Sequence, residues 1–387
     1  MSSVYVLGTY HHHINHELFQ TELVNCEVTV FDWEKEELTE NSLIISDPSW
    51  INLQHLTESQ IEQAKNVASK KMLLIFDYKS FYSKTNMINQ VNEALLKMNF
   101  DFSNVHIITQ LEYDIHAIKR IMPEVNVVSR DRWLKELFRM QIIPHAFEKR
   151  VEVDTTAIAN KRFSLFIRRH QKARFEFLCS LIALGLEPQL HYTFANTESD
   201  MLPESFKEII PERLSHARHI LEPWVEGIPY TIPNEQYDHR HYPMNLKHYC
   251  EKSDINIVFE TEPFGEHSEY SYQGFGSFLT EKTYKAILFK KPFILVSEQH
   301  GLKALHAFGF KTFSPWFNES YDDIEDFDQR VEAVLAEINR LSLLSEDEIA
   351  TILREVNDIV EHNHRVLFDL AIAPLPDQFK LKSLLTF

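Results

Sequence analysis

Glycine is scarce: the chain of 387 residues holds 8, where average usage of about 7% would give roughly 27. They are Gly8, Gly185, Gly227, Gly265, Gly274, Gly276, Gly301 and Gly309, and no subset of them spells G-x-G-x-x-G or G-x-x-x-x-G-K-[ST]. Those turns let a backbone approach a pyrophosphate or triphosphate closely. Their absence argues against a P-loop nucleotide hydrolase and a standard dinucleotide-dependent dehydrogenase. It also weakens a methyltransferase reading, since Gly8 stands alone after the first apolar strand. Any phosphorylated ligand must then be met by helix N-termini and cationic side chains.

Cysteine is nearly as sparse. Cys26, Cys179 and Cys250 lie too far apart for a C-x-x-C clip, which fits a reduced, intracellular chain, expected to be cytoplasmic. No apolar run reaches the length of about 18 residues that a membrane span needs. The first seven residues, Met-Ser-Ser-Val-Tyr-Val-Leu, lack the basic region and long apolar core of a signal peptide. Positive charge is short as well: Lys+Arg 39 against Asp+Glu 57 leaves a formal net charge of −18. Phosphate contacts need clustered Lys and Arg, so the acidic total argues against a dedicated nucleic-acid binder.

What is present reads as two globular domains. The hydrophobic share of 44% and charged share of 25% are ordinary, and the length suits two domains. In the first part, apolar runs of strand length at 4–9, 42–46, 72–77, 104–109 and 125–129 alternate with helical patterns at 58–69, 87–97, 113–121 and 132–140. In the second, strands at 162–167, 189–194, 255–259 and 292–296 alternate with helices at 172–184, 244–252, 280–290 and 301–308. Helical periodicity returns at 324–341 and 345–368. Such alternation predicts βαβ units and mostly parallel sheets. The expected fold class is therefore α/β, with two Rossmann-like α/β/α domains. The boundaries read as an N-terminal domain over 1–145, a linker over 146–160, a second domain over 161–345 and a helical tail over 346–387, free to pack back on the first domain. The Pro-containing stretch 201–242 gives no readable pattern, and its Tyr237-Asp238-His239-Arg240-His241-Tyr242 run reads as a surface loop.

Two constellations carry the chemistry. The first is the apolar strand Phe163-Ser164-Leu165-Phe166-Ile167, followed by Arg168, Arg169, His170, Lys172 and Arg174 as a helix begins. Ligands of open α/β sheets bind beyond strand C-termini, where helix N-termini face them. Arginines there suit a diphosphate, because the planar fork can hold two phosphate oxygens. A solvated helix face is the competing explanation. The second runs from Val258-Phe259-Glu260-Thr261-Glu262 through a polar loop to Thr280-Glu281-Lys282-Thr283, then to Lys291-Pro292-Phe293-Ile294-Leu295-Val296. Thr280 can cap the helix. Glu281 can accept from vicinal ribose hydroxyls, and Lys282 can neutralise a diphosphate beside the helix dipole. The competing reading is a Glu281–Lys285 surface pair.

The second constellation resembles the donor-binding region of the alpha-1,3-fucosyltransferases, which carry a Phe-Glu-Asn stretch, a Thr-Glu-Lys helix start and a proline-opened apolar strand. Gly309-Phe310-Lys311-Thr312-Phe313 and Glu319-Ser320-Tyr321-Asp322 are similar to segments of phage and bacterial glycosyltransferase-like proteins. The likeness spans about residues 161–330, and the chain departs from the fucosyltransferases at Thr261, where they have Asn. It implies a GT-B glycosyltransferase, with two domains facing a cleft. Arg174 and Lys282 would meet the diphosphate of a GDP- or UDP-sugar and Glu281 its ribose. Arg168, Glu260, Thr280 and Glu319 are further donor-binding candidates.

The acceptor, a glycan or other hydroxyl compound, would be activated from the first domain. Asp77 and Glu112 stand at strand ends, and His13 lies in the turn His11-His12-His13-Ile14-Asn15-His16-Glu17; each can take a proton. A metal is not expected for want of a carboxylate or cysteine set around the histidines, and no cofactor beyond the donor is implied. The expected reaction is metal-independent sugar transfer, and the resemblance implies that it inverts the anomeric carbon. Its rivals are a non-catalytic nucleotide- or sugar-phosphate-binding protein and an enzyme glycosylating DNA bases.

Overall fold

The computed structural model describes residues 3–7, 27–30, 42–46, 58–65, 72–76, 84–109, 112–129, 158–167, 171–194, 206–231, 245–260 and 279–372. The chain divides into two units, the main body of one being Met1–Arg132 and that of the other running from Trp133 to Ile372.

The first unit is built on a six-stranded sheet. Its strands are β1 (Ser3–Leu7), β2 (Glu27–Val30), β3 (Ser42–Ser46), β4 (Met72–Phe76), β5 (Val105–Thr109) and β6 (Asn126–Ser129). They lie in the order β2-β1-β3-β4-β5-β6, every pair parallel. Runs such as Met-Leu-Leu-Ile-Phe in β4 suit a parallel strand covered on both faces. Helices α1 (Glu58–Lys65), α2 (Lys84–Lys97) and α3 (Glu112–Ile121) connect them. Helix α2 buries Ile88, Val91 and Leu95 on one face, joined by Met98 just beyond its end, the spacing of an apolar helical stripe.

The second unit carries a four-stranded parallel sheet in the order β10-β9-β7-β8. Its strands are β7 (Lys161–Ile167), β8 (Leu190–Phe194), β9 (Ser253–Phe259) and β10 (Phe293–Val296). Helices α4 (Lys172–Ala183), α5 (Arg218–Glu226), α6 (Asn245–Glu251), α7 (Glu281–Leu288) and α8 (Gly301–Ala307) follow the strands or pack beside them. Three further helices close the described chain: α9 (Phe327–Ser342), α10 (Glu346–Glu355) and α11 (Asn357–Ile372). Aromatic rings fill the core: Phe163, Phe175, Phe177, Phe194, Phe293, Phe310, Phe313 and Phe317 are all essentially buried. A buried polar pair, Ser164 to Asn256, ties β7 to β9.

The two parallel sheets are the expected α/β architecture. Three details differ from the sequence reading. Strand β2 is an element that the pattern did not reveal. The segment 206–231, which gave no pattern, holds a short 3-10 helix (Glu212–Ala217) and α5, with Pro223 inside α5. The final helical stretch is two helices, broken at Val356. Both pack within the second unit: Glu346 on α10 accepts from Arg162 of β7 at 3.1 Å, Lys290 pairs with Glu361 on α11, and Asn363 on α11 bonds both the N–H and the carbonyl of Lys311. The expected helix over 132–140 and most of the linker lie outside the described residues. No described helix is long and apolar enough to cross a membrane. Cys179 and Cys250 are free and buried.

Candidate functional site

In the second unit the chain leaves β7 for β8 on one side of the sheet, then crosses to β9 on the other. The strand order therefore reverses between β7 and β9, and beyond their carboxyl ends lies the position where open α/β sheets take ligands. Two helix N-termini meet there at one residue, Glu260, which follows β9.

Helix α4 begins after β7, with Arg174 in its first turn. Arg174 is only 3% exposed. Its guanidinium donates to the Glu260 main-chain carbonyl at 3.0 Å and lies 5.9 Å from the centre of the Phe259 ring. From the other side, α7 starts with Thr280 as its cap, the hydroxyl accepting from the Lys282 N–H at 3.4 Å. The Glu260 carboxylate, 0% exposed, accepts from the Thr280 N–H at 2.9 Å, the Thr280 hydroxyl at 2.5 Å and the Thr283 hydroxyl at 2.5 Å. A buried carboxylate is tolerable only when so satisfied.

Lys282 stands 24% exposed at the same turn, its ammonium 3.9 Å from the Glu260 carboxylate. The ammonium donates to the Thr280 hydroxyl oxygen at 3.0 Å and to Glu281 at 3.2 Å. The Glu281 side chain is 12% exposed. Burial alone would push its carboxyl up, but the charges of Lys282 and Lys285 outweigh that and hold it down at about 2. Glu281 is thus firmly ionised, an acceptor beside a donor at the positive end of a helix dipole.

The structure therefore brings five of the anticipated donor residues together: Arg174, Glu260, Thr280, Glu281 and Lys282. It gives two of them settings that differ from those anticipated. Arg174 and Glu260 are enclosed, and their described hydrogen bonds go to protein groups; only Glu281 and Lys282 retain partial exposure. Thr283, the third donor to Glu260, and Phe259, beneath Arg174, were not singled out from sequence. The Thr280-x-x-Thr283 spacing was the available signal, since residues three apart share a helix face.

Glu319 lies elsewhere in the second unit, in the loop between α8 and α9. Its carboxylate accepts the Phe313 N–H at 2.7 Å and is pushed up by burial, which ties it to the Gly309–Phe313 segment. Glu112 begins α3 in the first unit. Arg168, Asp77 and His13 lie outside the described residues, as do Thr261 and the segment 237–242. Among the described residues no group of three or more His, Cys, Asp or Glu is placed to hold a metal.

Fold and site thus define an α/β protein with two parallel sheets and, in the second, a cationic helix start at the reversal of strand order. No protein-family model matches the chain, and no curated protein matches it significantly. Solved structures give remote likenesses. A structure described as trehalose-6-phosphate from E. coli bound with UDP-2-fluoro glucose is 13% identical, with a TM-score of 0.39 over 87% of this chain and 74% of that one. The apo structure of OtsA is 15% identical, with a TM-score of 0.42 over 88% and 74%. An alpha,alpha-trehalose-phosphate synthase (UDP-forming) from Burkholderia vietnamiensis is 13% identical, with a TM-score of 0.34 over 86% and 75%. At such TM-scores these are similarities only, and the chemistry of the site carries the functional reading.

Proposed function

We propose that the chain is a GT-B-type glycosyltransferase whose second unit holds a nucleotide-diphosphate sugar, with GDP or UDP as the nucleotide. One observation carries the reading: Arg174 and Lys282, on helices after different strands, converge on Glu260 at the reversal of strand order. Lys282 and the α7 N-terminus would meet the diphosphate, where a charge-assisted contact is strongest. Arg174 would add positive potential from behind, and Arg168 a further cation at the end of β7. Glu281, held ionised, would accept from the two ribose hydroxyls.

The first unit would supply the acceptor side. An acceptor hydroxyl would lose its proton to a carboxylate or imidazole, with Asp77, His13 and Glu112 as the candidates. Its oxygen would form a bond to the anomeric carbon as the bond from that carbon to the diphosphate oxygen breaks. The nucleoside diphosphate departs with the electron pair, and configuration inverts. Lys282 would stabilise the charge growing on the leaving oxygens, so the transfer would run without a metal ion.

A thermal-shift screen of the full chain against UDP, GDP, CMP and their sugar conjugates tests this. Ligand at about 100-fold excess over its dissociation constant should stabilise by roughly 2.7 kcal/mol. No response to any nucleotide overturns the proposal. Binding of a donor without its hydrolysis or transfer would make the chain a non-catalytic nucleotide-sugar-binding protein instead.

A further inference from the structure

Glu260 is too enclosed to touch a ligand, yet its carboxylate lies in the core beneath Lys282. We propose that Glu260 is a positioning residue, which aims the Lys282 ammonium by fixing the direction of the Thr280 hydroxyl. That the aimed ammonium meets a diphosphate rests on the function proposed above; that it is aimed in this way does not.

Counting protons leaves one arrangement. An ionised carboxylate only accepts, an ammonium only donates, and a hydroxyl has a single proton. Thr280 lies 2.5 Å from the Glu260 carboxylate, so its proton goes there. Its oxygen must then act as acceptor toward the Lys282 N–H at 3.4 Å and the Lys282 ammonium at 3.0 Å. The negative charge of Glu260 thus turns the lone pairs of Thr280 toward Lys282. Thr283 and the Thr280 N–H, both donating to the same carboxylate oxygen, fix the carboxylate in turn. Without the relay, the ammonium keeps its contact to Glu281 at 3.2 Å but loses the acceptor that fixes its direction, on a flexible four-carbon stem.

In Glu260→Gln the shape remains but the amide nitrogen donates. Set against Thr280, it makes the hydroxyl an acceptor from residue 260 and swings the hydroxyl proton toward Lys282, where it repels the ammonium. Thr280→Ala removes the relay atom, and Thr280→Ser keeps it.

The test uses the full chain and limited acylation by an N-hydroxysuccinimide ester, read by mass spectrometry at Lys282 with the exposed Lys172 as internal reference. Loss of one charge-assisted hydrogen bond should raise Lys282 modification relative to Lys172 about tenfold in Glu260→Gln and Thr280→Ala, with Thr280→Ser close to wild type. Folded variants with unchanged Lys282 modification overturn the proposal. If Glu260→Gln does not fold, the contrast between Thr280→Ala and Thr280→Ser decides alone. Titration with GDP and UDP separates this from the reading of function. A rise in modification with a parallel loss of nucleotide affinity supports both. A rise in modification with unchanged affinity upholds the relay and removes Lys282 from the diphosphate site.

Discussion

The Arg174 guanidinium donates to the main-chain carbonyl of Glu260 at 3.0 Å, fastening the first turn of α4 to the end of β9. Strands β7 and β9 are neighbours in the sheet, so this one contact bridges the point where strand order reverses. The same residue receives α7 through its side chain. Backbone and carboxylate of Glu260 thus locate two helix N-termini at one place, which is how a chain with so few glycines can present positive potential to an anion without a glycine-rich turn.

Arg174→Lys and Arg174→Ala should therefore both destabilise the second unit. Each loses the contact to Glu260, and lysine cannot reproduce the planar fork or its packing on Phe259. A hydrogen bond from a charged group is worth about 1.5–3 kcal/mol, and a fall of that size in the unfolding free energy, read as a lower urea midpoint at unchanged m, is the expected result. A lysine variant as stable as wild type would show that charge alone, not geometry, serves here.

Lys282→Ala should show in binding as well as in stability. The ammonium leaves the three closer donors to Glu260 in place, but Glu281 loses one of the two charges that hold its enclosed carboxylate ionised, so stability should fall by about 1–3 kcal/mol. Nucleoside diphosphate affinity should fall about 10- to 100-fold, the equivalent of one charge-assisted contact. Calorimetric titration of both proteins with GDP and UDP checks the pair of outcomes.

The helix start at Thr280-Glu281-Lys282 was legible because capping chemistry is local: Thr at the cap and an acidic residue after it announce a helix whatever surrounds them. Strand ends and parallel sheets were legible from apolar runs such as Met72–Phe76. The enclosure of Glu260 was not, since Phe-Glu-Thr at a strand end has the same composition whether the carboxylate faces water or a neighbouring helix. Strand β2, Glu-Val-Thr-Val, is too short for its alternation to stand out. Helix α5 was hidden by Pro223, although Leu221, Trp224 and Val225 bury one face of it. These are decisions of tertiary packing, and local pattern does not hold them.

Glu281 supplies a prediction about acid. Its carboxyl is held at about 2 in the folded state against an ordinary 4.5, through Lys282 and Lys285. A depressed folded value means that the unfolded chain binds the proton more readily. The stabilisation is therefore complete above 4.5 and drains away as pH falls toward about 2. Glu281→Gln has no proton to take up there, so its stability should fall less steeply across that window. Denaturation curves at stepped pH would show it; parallel slopes for the two proteins would count against the ion-pair origin of the shift.

Asp322 should show the opposite sign. It is buried, its carboxylate accepts the Leu302 N–H at 2.9 Å and the Lys303 N–H at 3.3 Å, and its own carbonyl accepts from His300 at 2.9 Å. The residue thus holds the start of α8. Burial pushes its carboxyl above the ordinary 3.8, so the folded state takes up a proton before the unfolded chain does. As pH falls through the raised folded value, this group adds stability rather than removing it. Asp322→Asn keeps an acceptor oxygen and never carries the charge, so it should lose this pH dependence and retain part of the helix start. Asp322→Ala leaves two main-chain donors without their acceptor and should cost about 1–3 kcal/mol at neutral pH. An Asn variant as weak as Ala would show that the negative charge at the helix start outweighs the acceptor geometry, and that the cost of burying it is more than repaid.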